Sequence, residues 1–102
     1  MKNQKSLKIL GKTYVIKYCK VPEDRWGDCD HPNTPNRKIR ICETLKGKEQ
    51  LSVTVHELLH SVAFDLFSEE WVQKAGEDLG NALWELGYRK REKTRKKNGK
   101  IK

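Results

Sequence analysis

The spacing of the apolar residues changes near Lys48, and this change constrains the fold more than any other feature. Before it, β-branched and aromatic residues occur in short runs typical of strands; after it, apolar residues recur every three or four positions, as on a helix. A chain of 102 residues has room for one hydrophobic core. Strands followed by helices therefore predict a single α+β domain.

The N-terminal part of the chain has the pattern of a β-hairpin. Residues 7–10 and 13–21 are rich in β-branched and aromatic side chains, and they flank the dipeptide Gly11-Lys12. Two such runs separated by two turn-forming residues predict antiparallel strands joined by a tight turn.

A third strand is predicted after a long connection. Residues 23–37 contain Gly, Pro and Asn at positions typical of an exposed loop. Residues 38–43 then alternate, with Ile39 and Ile41 on one side, as in a half-buried strand. We therefore expect a small antiparallel sheet of about three strands.

Two helices are predicted in the second half, both packed against this sheet. The first spans about residues 49–67. Ser68 is a suitable N-cap for the second, Glu69 and Glu70 suit the positive end of its dipole, and Gly87 is placed to end it. The second helix has an apolar face and, beside it, a glycine stripe that would allow close approach of the first helix. The apolar face is Val72, Ala75, Leu79, Leu83 and Leu86, and the stripe is Gly76, Gly80 and Gly87.

Positive charge is concentrated at the C-terminus. Residues 1–88 carry 13 basic and 13 acidic side chains, whereas residues 89–102 carry nine basic residues and the single acid Glu92. We therefore predict a neutral domain over residues 1–88 and a disordered or frayed helical basic tail over residues 89–102. The tail is suited to weak, non-specific contact with nucleic acid, or simply to solvation.

The sequence predicts a cytoplasmic protein. Apolar residues make up 35% of it, which is too few for a membrane protein, and no export signal opens the sequence. Its cysteines number three, which argues against a disulfide framework and favours reduced thiols. These are Cys19, Cys29 and Cys42.

The sequence His56-Glu57-Leu58-Leu59-His60 lies within the first predicted helix. Four residues advance a helix by about one turn, so His56 and His60 project from the same face and can share one zinc ion. Glu57 lies beside that metal, where its carboxylate can take a proton from a metal-bound water. The motif predicts one catalytic Zn²⁺ and hydrolysis of peptide bonds.

A catalytic zinc needs a third protein ligand. Helical geometry places Glu69 on the shoulder of the buried face of the second helix, which makes it the preferred ligand. Glu70 is the alternative, because a helix start inferred from sequence can be wrong by about two to four residues. The full set of nearby candidates is His31, Asp65, Glu69, Glu70, Glu77 and Asp78.

These residues resemble a known group of enzymes. The order Trp26-Gly27-Asp28-Cys29-Asp30, then Lys38-Ile39-Arg40-Ile41, then the His56 to His60 motif and a helix opening Ser68-Glu69-Glu70 is similar to small HExxH zinc metallopeptidases. Specifically, it resembles compact phage and bacterial proteins of the minigluzincin and ImmA/IrrE type, over about residues 7–88. Unlike the larger gluzincins, this chain has no Glu after Asn81.

The resemblance implies a zinc metalloendopeptidase in which His56 and His60 bind zinc, Glu57 is the general base, and Glu69 or Glu70 completes the site. It also implies that residues 38–43 form a sheet edge that pairs with an extended peptide or protein substrate.

On that edge strand, Lys38 and Arg40 would favour acidic substrates. Cys29 is either a latent ligand to the zinc or, as we prefer, a loop cysteine without a chemical role. The alternative function is a non-catalytic regulatory or binding protein that keeps the zinc for structure and contacts nucleic acid or a partner through its tail.

Overall fold

A computed structural model describes residues 4–90 and has an α+β fold with a four-stranded mixed sheet and two helices. The predicted fold class is therefore confirmed. In chain order the elements are β1 (Gln4–Ile9), β2 (Lys12–Cys19), β3 (Gly27–Cys29), β4 (Lys38–Cys42), α1 (Gly47–Val62) and α2 (Glu69–Glu85).

The predicted hairpin is present, with its turn one residue earlier than expected. Ile9 pairs with Lys12, so Leu10 and Gly11 form the two-residue turn. Both have positive φ angles, of 50° and 79°. This is the backbone that the right-handed twist of a hairpin favours, and glycine adopts it readily.

The sheet differs from the prediction in two ways. Its order is β1-β2-β4-β3, and β2 and β4 are parallel, with Ile16 opposite Ile39. A parallel pair requires a long connection, and residues 20–37 provide it. Part of this connection, predicted to be loop, forms the short strand β3, which pairs antiparallel with β4. The predicted all-antiparallel sheet of three strands is thus a mixed sheet of four.

The core lies on one face of this sheet. Ile39 and Ile41 are fully buried, as their alternation predicted, and they pack with Tyr14, Ile16 and Leu45. Helix α1 lies against β3 and β4, and α2 packs on α1. The side of α1 that faces β3 is where the candidate site lies.

Helix α1 ends earlier than the sequence indicated. The prediction extended it to residue 67, but the backbone leaves the helix at Ala63, where φ is −141°. The following turn is held by tertiary contacts: the Phe64 ring lies edge-on to the His31 ring at 4.9 Å, and Asp65 binds the same imidazole. The early end allows α2 to fold back along α1.

Both predicted ends of α2 are confirmed. The Ser68 hydroxyl oxygen accepts a hydrogen bond from the Trp71 amide at 3.1 Å, which caps the first turn. At the other end Gly87 has a φ of 96°, and the Tyr88 amide donates to the Leu83 carbonyl oxygen at 3.0 Å. This is the hydrogen-bond pattern of a glycine-ended helix.

The predicted glycine stripe of α2 approaches α1 closely, and the predicted apolar face is only partly buried. Gly76 and Gly80 are buried, as is Val72 of the apolar face, whereas Leu79 and Leu86 are exposed. A Cβ at Gly76 would lie 3.1 Å from the Cα of His56. Because glycine lets the α1 backbone come this close, α2 is rotated toward its glycines. Gly87 does not join this contact, since nothing lies within 4 Å of the position that a Cβ would take there.

The predicted basic tail is described only at its start. The Arg89 guanidinium stacks on the Trp84 ring at 3.4 Å, and the Lys90 ammonium lies 4.8 Å from the centre of the Tyr18 ring. The rest of the tail, residues 91–102, lies outside the described residues. Neither of the two described helices is long and apolar enough to cross a membrane.

Candidate metal centre

Two helices bring the two predicted histidines and Glu69 together. His56 and His60 lie one turn apart on α1, with ring centroids 4.9 Å apart, and Glu69 is the first residue of α2. One carboxylate oxygen of Glu69 lies 3.0 Å from His56 Nε2, and the other lies 3.0 Å from His60 Nε2. Glu70 does not belong to this group.

The donor set is suited to a metal ion. The three ligand atoms lie within 4.8 Å of one another. Zinc with imidazole and carboxylate ligands at about 2.0–2.2 Å holds tetrahedral donor atoms about 3.3–3.6 Å apart. The observed separations are close to that spacing, so His56, His60 and Glu69 form a group that can hold a metal ion.

Glu57 lies behind the three ligands and is buried, with 5% of its surface exposed. Its side chain packs below β3, because a Cβ at Gly27 would lie 3.4 Å from its Cγ. Burial raises the pKa of Glu57 to about 8, and the nearby charges of Asp28 and Glu69 act in the same direction. Without a metal ion this carboxyl group is therefore largely protonated at neutral pH.

Burial has the opposite effect on His56. Desolvation lowers the pKa of its imidazole, although the adjacent Glu69 carboxylate opposes this shift. A lowered pKa favours the neutral imidazole, which is the form that binds a metal ion.

A cluster of charged residues lies next to Glu57 and was not expected from the sequence. Arg40 on β4 binds Asp28 at 2.6 Å and Asp30 at 3.2 Å. The Asp30 carboxylate also accepts a hydrogen bond from the Lys38 amide at 2.9 Å. Since both acids lie in the segment predicted to be loop, no periodic signal indicated that they would meet Arg40.

The predicted substrate-binding edge is wrong. Residues 38–42 form β4, which is paired on both sides by β2 and β3, so it has no free edge. The strand beside the site with no second partner among residues 4–90 is β3. The predicted preference of Lys38 and Arg40 for acidic substrates also loses its basis, because Arg40 is neutralised by Asp28 and Asp30.

The remaining candidate ligands do not belong to the group of His56, His60 and Glu69. His31 Nε2 lies 3.0 Å from an Asp65 carboxylate oxygen, so these two residues pair with each other. Cys29 lies in the wall of the site, but its thiol points to the Asp30 carbonyl oxygen at 3.5 Å. Burial raises the pKa of the Cys29 thiol to about 12, which disfavours the thiolate that a metal would need.

Comparison with known proteins adds no assignment to this geometry. No protein-family model, no curated protein and no solved structure matches the chain.

Proposed function

We propose that this protein is a zinc-dependent peptidase. The observation that carries the proposal is the placement of His56, His60 and Glu69 around one point, with Glu57 buried beside it. Two imidazoles and one carboxylate are the ligand set of a catalytic zinc that keeps a fourth position for water. The resemblance to small HExxH metallopeptidases agrees with this chemistry.

Each residue has a separate role in the proposed reaction. His56, His60 and Glu69 hold the zinc, which when bound polarises a water molecule and the scissile carbonyl group. Glu57 accepts the proton of the attacking water at its carboxylate. Glu57 would be ionised beside a bound zinc, because the positive charge of the ion opposes the effect of burial on its pKa. The ionised carboxylate is the form that acts as the base.

The test compares Glu57→Gln with the wild type after both are loaded with zinc. Both proteins should bind one zinc, because Glu57 is not a ligand. The variant should hydrolyse a mixed fluorogenic peptide library at least about a hundredfold more slowly, which is the usual loss when a general base is removed. Zinc content is measured by mass spectrometry and hydrolysis by fluorescence.

Adjacent glutamates provide a matched control for the ligand assignment. Glu69→Gln should lose zinc, whereas Glu70→Gln should keep both zinc and activity, since Glu70 lies outside the metal group. A zinc-loaded wild type that cleaves no peptide, or a Glu57→Gln variant that cleaves as fast, would contradict the peptidase proposal. The first result favours the non-catalytic regulatory role, and the second excludes Glu57 as the general base.

A further inference from the structure

A groove runs across the metal centre, and its two ends differ in chemistry. It consists of two recesses with volumes of about 280 and 370 Å³. The first extends past Trp26 and Glu77, and the second past Phe64 and Phe67. The residues that line both recesses are His56, Glu57 and Glu69, so the recesses meet at the proposed reaction centre.

One end of the groove is aromatic. Phe67 is 47% exposed and stacks on Trp71 with ring centroids 4.2 Å apart. Phe64 lies between the rings of His31 and His60, at centroid distances of 4.9 and 5.9 Å. These contacts hold two apolar rings at the mouth of a recess, which is a surface suited to an apolar side chain.

The other end combines an exposed indole with negative charge. Trp26 is 59% exposed. The Glu77 carboxylate accepts a hydrogen bond from the neutral amide of Gln73 at 3.0 Å. Arg25 also lines this recess, but its guanidinium is paired with Asp24 at 3.2 Å. Glu77 forms no ion pair among residues 4–90. An aromatic face beside such a carboxylate is an environment for a Lys or Arg side chain.

Two further features mark the junction of the recesses as a place for a bound chain. Glu57 is nine-tenths buried but lines both recesses, so its side chain lies where the two recesses meet. Gly27 and Cys29 are alternate residues of β3. Antiparallel pairing directs the backbone groups of Asp28 toward β4, and those of Gly27 and Cys29 toward the free edge.

We propose that the groove selects extended peptides with a basic side chain on the Trp26–Glu77 side of the scissile bond and an apolar side chain on the Phe64–Phe67 side. This inference rests on the proposed peptidase function and specifies its substrate class. An exposed cation–π contact and an exposed ion pair together favour Lys over Glu at the basic position by roughly tenfold.

Binding to a non-cleaving protein tests the inference separately from catalysis. The full chain carrying Glu57→Gln is loaded with zinc and titrated against fluorescein-labelled alanine-based octapeptides. Each peptide contains one Phe and one variable residue, which is Lys, Gln or Glu. The variable residue stands N-terminal to Phe in one set of peptides and C-terminal to it in the other. Fluorescence anisotropy gives the dissociation constants. In one of the two orientations, the Lys peptide should bind roughly tenfold more tightly than the Glu peptide.

Three further variants in this background identify the source of the preference. Glu77→Gln and Trp26→Leu should each reduce the preference for Lys to about threefold, as expected from loss of one exposed contact. Asp78→Asn is the matched control, because Asp78 is the next residue on α2 but pairs with Lys74 outside the groove. It should leave the preference unchanged. Circular dichroism verifies that each variant is folded.

The outcomes separate the two proposals. Equal binding of Lys and Glu peptides, or a preference that persists in both Glu77→Gln and Trp26→Leu, overturns the inference even if the wild type cleaves peptides. Selective binding without cleavage by the zinc-loaded wild type supports the inference and overturns the peptidase function. Absence of binding by every peptide overturns the inference as well.

Discussion

Replacing Gly80 with alanine tests the close packing of α1 against α2, the two helices that carry the proposed metal ligands. A Cβ at this position would lie 2.7 Å from the Cα of Ser52 and would also overlap its hydroxyl oxygen. The Ser52 Cα belongs to the backbone, so rotation of a side chain cannot relieve the contact. The two helices must therefore move apart.

The expected loss of stability follows from two opposing effects. Adding a methyl group to a packed interface costs about 1–3 kcal/mol, whereas alanine stabilises a helix interior by about 1 kcal/mol relative to glycine. With a backbone contact at 2.7 Å, we expect the overlap to dominate for Gly80→Ala. The free energy of unfolding should fall by about 1–2 kcal/mol, which lowers the melting temperature by about 4–8 °C per kcal/mol in a domain of this size.

The assay is urea denaturation with EDTA present, followed by circular dichroism. Asn81→Ala is the control, because Asn81 is exposed on the same helix and its replacement should cost nothing. Adding Ser52→Ala to Gly80→Ala should recover only part of the loss, since the backbone contact remains. Full recovery in the double variant, or wild-type stability for Gly80→Ala alone, would refute the reasoning.

Three other predictions concern the site. In thermal denaturation, zinc at about a hundred times its dissociation constant should stabilise the wild type by about 2.7 kcal/mol and leave the His60→Ala variant unaffected. An equal effect on both proteins would exclude His60 as a ligand. In EDTA the free energy of unfolding of the wild type should fall by up to about 3 kcal/mol as the pH rises from 4.5 to 7. Over this range Glu57 stays largely protonated in the folded state, where its pKa is about 8, but loses its proton in the unfolded state, so rising pH favours unfolding. Glu57→Gln should lack that slope in urea titrations at several pH values, and an unchanged slope would disprove the assignment. Iodoacetamide at pH 9 should alkylate Cys29 far more slowly in the folded than in the denatured protein, because a thiol pKa of about 12 leaves almost no thiolate in the folded state. Peptide mass spectrometry measures the two rates, and equal rates would contradict this prediction.

Local patterns in the sequence predicted the elements well. The two-residue hairpin connection, the alternation of Ile39 and Ile41, and the caps at Ser68 and Gly87 each depend on neighbouring residues alone. The placement of His56 and His60 on one helical face is also local, because it requires only helical periodicity.

Features that depend on distant residues were predicted less well. The path by which the chain returns to the sheet determines the parallel pairing of β2 with β4 and the formation of β3. A short window of sequence does not contain this information. The end of α1 at Val62 depends on contacts between His31 and the turn after the helix. The close approach of the α2 glycines to α1 and the burial of Val72 were predicted, but the rotation that leaves Leu79 and Leu86 exposed depends on how closely those glycines approach α1.

The proposed metal ligands and the surroundings of Glu57 come from different parts of the chain. His56, His60 and Glu69 lie within one helical hairpin, whereas Glu57 is enclosed by β3, across a long stretch of sequence. A partly unfolded chain whose sheet has detached would therefore keep the three proposed ligands together while Glu57 is open to water. For this protein, metal content alone is a poor measure of the fraction of molecules that are fully folded. Preparations should also be assessed by a probe of the sheet.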